Sequence, residues 1–69
     1  MKIETKYEIG MTVKFYDPDC RRHMVGTIDN IEVEIDRKGK IEIGYCIYED
    51  GDWMNPHFVE EKRIKEVLR

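Results

Sequence analysis

Residues 31–36 read Ile-Glu-Val-Glu-Ile-Asp, apolar and charged in strict alternation. Residues 41–47 read Ile-Glu-Ile-Gly-Tyr-Cys-Ile, apolar at every odd position. A period of two places successive side chains on opposite faces of a strand, so both runs predict half-buried strands with one apolar and one wet face. Between them lies Arg37-Lys38-Gly39-Lys40. A loop of Arg37, Lys38 and Gly39 sets Ile35 opposite Ile41, Val33 opposite Ile43 and Ile31 opposite Tyr45, and puts Gly39 where positive φ is needed. A shorter Lys38-Gly39 turn would set Asp36 against Ile41 and put the two apolar sets on opposite faces. Residues 31–47 therefore predict one hairpin, around which the rest of the chain is arranged.

Glu49-Asp50-Gly51-Asp52 predicts a second hairpin, because Asp-Gly is the signature of a two-residue type I′ turn. That turn sets Ile47 opposite Met54 and Cys46 opposite Asn55, which puts Met54 in the core. It also makes Tyr48 and Trp53 a cross-strand aromatic pair on the outer face.

Upstream, Met11 to Tyr16 alternates as a first strand, with Met11, Val13 and Phe15 on one face. Asp17-Pro18-Asp19 is a turn, followed by the polar loop Cys20, Arg21, Arg22 and His23. Met24 to Ile31 is a second strand whose alternation slips between Ile28 and Ile31. A bulge at Asp29-Asn30 repairs the slip and makes residues 24–36 one long bent strand. Gly26 admits the close backbone approach that such a bend requires. Downstream, Asn55-Pro56-His57 leaves the sheet. Residues 60–68 fit either a helix or a 3₁₀ turn with a closing strand at Arg63 to Val67, and the need to cover a sheet edge favours the second. Residues 1–6 read as a frayed tail or an added edge strand.

The whole predicts one all-β domain over residues 1–69. At this length only about 60% of the extended chain's surface is buried, so the core is small. No apolar run approaches the ~20 residues of a membrane helix, and no leader pattern opens the chain, so a cytoplasmic location is expected. The net charge of −3 weighs against a sequence-independent grip on nucleic acid. Glu32, Glu34 and Glu42 share the outer face of the central hairpin, where an acidic strip is either solvated or set against a basic partner.

Cys20, His23, Cys46 and His57 form a weak candidate zinc set, because ten residues separate the second pair, which is therefore not a close ligand pair. No metal and no cofactor are expected. The chain has no serine, no phosphate-binding glycine loop and no spaced nucleophile–histidine–carboxylate set, so no enzyme is expected. For nucleic acid, the candidate contacts are Arg21 and Arg22 in one loop and Arg37 and Lys38 in another, with exposed aromatics for stacking. The aromatics Tyr16, Tyr48, Trp53 and Phe58 are the candidate contacts for a protein or small-ligand partner. Association with further copies of the chain would bury the same rings.

Ile9-Gly10-Met11-Thr12-Val13 resembles the start of the first strand of many small SH3-like barrels, with Met11 where an acidic residue is common. Gly26-Thr27-Ile28-Asp29-Asn30-Ile31 resembles the Gly-x-Ile/Val core of KOW and Tudor-type barrels. Over residues 7–67 the chain is also similar to small barrel proteins of phages, prophages and mobile elements of gut bacteria. The resemblance implies a five-stranded SH3-like barrel with a short 3₁₀ or helical turn near the C-terminus. It implies a binding role, either an accessory or inhibitory protein or a KOW/Tudor-like nucleic-acid binder. Fold alone does not choose between them.

Overall fold

The computed structural model describes residues 3–69. Its elements are β1 (Thr12–Asp17), β2 (Arg22–Ile35), β3 (Ile41–Glu49), β4 (Pro56–Glu60), the 3₁₀ turn η1 (Glu61–Arg63) and β5 (Ile64–Val67). The five strands form one antiparallel sheet in the order β4-β3-β2-β1-β5. The domain is thus all-β, with a single 3₁₀ turn near its C-terminus.

The central hairpin has the expected register. Ile35 faces Ile41, Val33 faces Ile43 and Ile31 faces Tyr45. Asp36 organises the loop: its Oδ1 accepts from the Lys38 and Lys40 amides at 2.8 and 2.9 Å. Gly39 closes it at φ +82°. The ladder between β2 and β3 skips one residue between Ile28 and Asn30. That bulge brings Ile28 and Ile31 to the same face and lets one 14-residue strand serve two neighbours. Gly26 is where the bent strand crosses close to β3: a Cβ there would collide with the Tyr48 carbonyl and lie 2.7 Å from Ile47 Cγ2.

The core is one cluster of Val13, Phe15, Met24, Ile28, Tyr45, Ile47, Val59 and Ile64, with Tyr7, Met11, Ile31 and Ile43 packed against it. Every strand contributes to it, as a small sheet requires to cover one apolar face. The two outermost strands, β4 and β5, are joined only by the three residues of η1. A 3₁₀ turn that short spans roughly 6 Å, so the sheet curls until its two edges lie one turn apart. Among the described residues no ladder joins those edges. The closing strand begins at Ile64, one residue after the expected Arg63, and the helical alternative for residues 60–68 is excluded.

The second hairpin corrects the sequence reading. Tyr48 pairs with Pro56, Ile47 with His57 and Cys46 with Phe58, a shift of three residues from the expected partners Trp53, Met54 and Asn55. Only Gly51 takes positive φ at the turn, at +89°, whereas a type I′ turn needs it at both central residues. Asp52 donates its amide to the Glu49 carbonyl at 2.9 Å, and its carboxylate then accepts from the Met54 amide and the Asn55 side chain. The chain therefore coils through residues 52–55 before β4 begins. Met54 is not in the core but 85% exposed. The segment 55–57 does not leave the sheet; Pro56 starts an edge strand, the sheet position that tolerates a missing donor.

Two further departures concern burial. Cys46 is buried between its row neighbours Asn30 and Phe58, on a face expected to be wet. Conversely Val33, Ile35 and Ile41, on the expected buried face, are 40%, 46% and 40% exposed. The long hairpin runs past the core, and nothing covers its distal apolar face among the described residues. At the other terminus, residues 3–11 form no strand. Tyr7 is nevertheless anchored edge-on to Tyr45, with ring centroids 5.6 Å apart. Met1 and Lys2 of the expected tail lie outside the described residues.

Candidate binding cleft

The turn after β1 and the edge strand β4 enclose a cleft of about 230 Å3. Tyr16, Pro18, Pro56 and Phe58 supply its apolar lining, and Asp17, Asp19, His57, Glu60 and Arg63 its polar groups. Three local causes shape it. Asp17 ends β1 and folds the turn back on itself, its Oδ1 accepting from the Asp19 and Cys20 amides at 2.8 and 3.3 Å. Alternation along β4 turns His57 and Val59 inward and Phe58 outward, where it is 68% exposed. Tyr16 lies across from His23 in the β1–β2 ladder, their rings 5.3 Å apart.

One side-chain pair joins the two walls. His57 Nδ1 lies 2.7 Å from Asp17 Oδ2, with Asp17 buried and His57 largely so. Burial alone would raise the Asp17 carboxyl. The two turn amides and the His57 ring outweigh it and hold the group below its usual 3.8. The carboxylate is therefore ionised and accepts, and Nδ1–H donates. The ring also tilts against Phe15 at 5.9 Å, which ties it to the core. Nε2 has no hydrogen-bond partner among the described residues.

The expected aromatic contacts fall into two neighbouring groups. Tyr16 and Phe58 line the cleft. Tyr48 and Trp53 stand 6.1 Å apart, in contact through the 52–55 loop and not as a ladder pair. Pro56, the ladder partner of Tyr48 and itself a cleft residue, lies between the groups.

The candidate basic contacts are separated. Arg21 and Arg22 stand at the start of the long strand and Arg37 and Lys38 beyond its other end. Arg22 is occupied by Glu49 at 3.2 Å. Cys20, His23, Cys46 and His57 are not brought together, and among the described residues no three His, Cys, Asp or Glu side chains are placed to hold a metal ion. Burial, then Asp29 and Glu32, push the Cys46 thiol up, away from the thiolate a metal would need.

Asp17 and His57 were invisible as a pair in the sequence. They lie 40 residues apart, and Asp17 has a complete local explanation as a turn former. The only signal was the shifted β4 register, which the Asp-Gly dipeptide concealed. Among the described residues no helix is long and apolar enough to cross a membrane. No protein family model, curated protein or solved structure matches the chain.

Proposed function

We propose that this domain is a non-enzymatic binding module, an SH3-like barrel that takes a segment of a protein partner into the cleft between the β1–β2 turn and β4. The observation that carries this reading is the cleft itself: Tyr16, Phe58, Pro18 and Pro56 present apolar surface around a fixed polar floor. Exposed rings beside such a floor are the usual anchors of recognition, because they bury large area at little cost in side-chain freedom. Tyr48 and Trp53 extend the same surface past Pro56. The Asp17–His57 pair ties the two walls of the cleft together, which supports a preformed site and little ordering on binding. The role is a cytoplasmic, accessory or inhibitory one.

Selection of a random peptide display library on the immobilised domain tests this. The expected peptides bind the wild-type chain and lose roughly tenfold or more in affinity on Tyr16→Ala or Phe58→Ala. Peptides indifferent to both substitutions overturn the reading. So do oligonucleotide-induced amide shifts at Arg21, Arg22, Arg37 and Lys38 that fade with added salt, which would establish a nucleic-acid binder instead.

A further inference from the structure

A second surface lies along the part of β2 beyond its pairing with β1. β1 pairs with β2 only as far as Thr27, with Gly10 and Met11 extending the contact to Ile28. From Asp29 to Ile35, β2 is bonded to β3 on one side and, among the described residues, to no strand on the other. The Asp36 amide donates to the Lys40 carbonyl at 3.0 Å. Antiparallel alternation from that bond directs the main-chain groups of Glu34 and Glu32 to β3 and turns those of Ile31, Val33 and Ile35 outward. An unpaired strand edge thus runs beside the half-exposed apolar face of Val33, Ile35 and Ile41.

We propose that this edge binds an extended segment of a partner protein in which basic and apolar residues alternate, added to the sheet as a further strand beside β2. The charge pattern selects that occupant. Glu32 and Glu34 project from the opposite face, without an ion-pair partner among the described residues. Glu34 already lies directly across the ladder from Glu42, whose one salt bridge among the described residues is to Lys40 at 3.6 Å. An added strand that matches its apolar side chains to Ile31, Val33 and Ile35 must place its alternate residues beside Glu32 and Glu34. Lys or Arg there forms cross-strand ion pairs. A second copy of this chain fails the same test. Every antiparallel self-pairing that sets two or more of Ile31, Val33 and Ile35 against the same residues of the copy also sets Glu32 or Glu34 against Glu32, Glu34 or Asp36. The cationic side chains Arg37 and Lys38 lie in the turn, beyond the end of the edge.

The probe is a short blocked peptide alternating lysine with valine or isoleucine, titrated into the labelled domain and followed by its amide spectrum. Shifts are expected at residues 29–35, with a glutamate-for-lysine peptide and a peptide N-methylated at alternate amides both roughly tenfold weaker or worse. Val33→Pro removes an outward donor while leaving the β2–β3 ladder intact and should abolish binding. Glu32→Lys with Glu34→Lys should reverse the preference between the lysine and glutamate peptides, whereas Phe58→Ala, which weakens binding in the cleft, should leave the affinity for these two peptides unchanged. Equal binding of both peptides, shifts elsewhere on the domain, or indifference to the Glu32 and Glu34 changes overturns the proposal. A concentration-dependent dimer dispersed by Ile35→Asp also overturns it, since the face would then belong to a second copy.

Discussion

His57 on β4 donates its Nδ1–H to Asp17 Oδ2 at the end of β1, across 2.7 Å and 40 residues of chain. The two strands are not neighbours in the ladder; β3 and β2 lie between them. The bond therefore spans the curl of the sheet and not its plane, and one carboxylate serves two purposes. Oδ1 shapes the turn and Oδ2 fixes the opposite wall. Loss of Asp17 would disturb both walls of the cleft at once.

That arrangement makes stability acid-sensitive. A carboxyl whose folded pKa lies below its unfolded value favours the folded state while ionised. Burial works against Asp17, but its amide and His57 partners prevail and hold it below 3.8. Its contribution is then fully present above about pH 4 and lost as pH falls through the folded pKa. Urea unfolding at neutral pH should show Asp17→Asn destabilised by about 1–3 kcal/mol. Measured again in strong acid, the gap between the two proteins should narrow. A gap that is constant with pH would show that the carboxylate charge is not what Asp17 contributes.

Gly26 should be irreplaceable. A Cβ at this position meets the backbone of Tyr48 and the Ile47 side chain, and backbone cannot give way as a flexible side chain does. Gly26→Ala is expected to cost about 3 kcal/mol, visible as a lowered thermal midpoint. Gly44→Ala is the control: it lies in the neighbouring strand, but its nearest contact is the Val59 carbonyl at 3.7 Å, so the midpoint should barely move.

What the sequence revealed and what it hid divide along one physical line. The central hairpin was legible because alternation and loop length agree: only one register pairs Ile35 with Ile41 and also gives Gly39 its positive φ. The bulge near Asp29 was legible because it breaks a period. The β3–β4 register was not. Asp50-Gly51 favours a tight turn locally, but the Asp52 carboxylate captures the Met54 amide and the Asn55 side chain, which lengthens the loop. Tertiary packing of His57 and Val59 then decides the register. The cleft depends on that register, so Tyr16 and Phe58 were recognisable as exposed aromatics while the partners around them were not.

Met54 separates the two registers experimentally. In the tight-turn arrangement it would be a core side chain, and its truncation would cost about 2–5 kcal/mol. At 85% exposure it touches too little for that. Met54→Ala and Trp53→Ala, the latter 65% exposed, should each leave the unfolding free energy within about 0.5 kcal/mol of wild type. Denaturant midpoints of the two variants settle the matter, since a large loss for Met54→Ala would restore the tight turn and remove the cleft.

Tyr45 ties together three parts of the chain at the other side of the core. Its hydroxyl donates to Glu61 Oε2 at 2.6 Å and accepts from the Tyr7 amide at 3.2 Å, while its ring is fully buried. Burial first, and then the hydrogen bond to Glu61, push its phenol up to about 12. A group whose folded pKa stands above its unfolded value of 10.0 stabilises the fold while protonated. Its contribution is complete below pH 10 and disappears as pH rises towards 12. Tyr45→Phe keeps the ring but strands the Tyr7 amide and removes the donor to Glu61, so a loss of about 1–2 kcal/mol is expected at neutral pH. The alkaline ultraviolet titration provides the second readout. The Tyr45 phenolate should appear as a late step near pH 12, and that step should be missing in Tyr45→Phe. If wild type lacks that late step, or Tyr45→Phe keeps it, the hydroxyl is not held as described, and the tether between Tyr7, β3 and η1 carries less of the fold than its geometry implies.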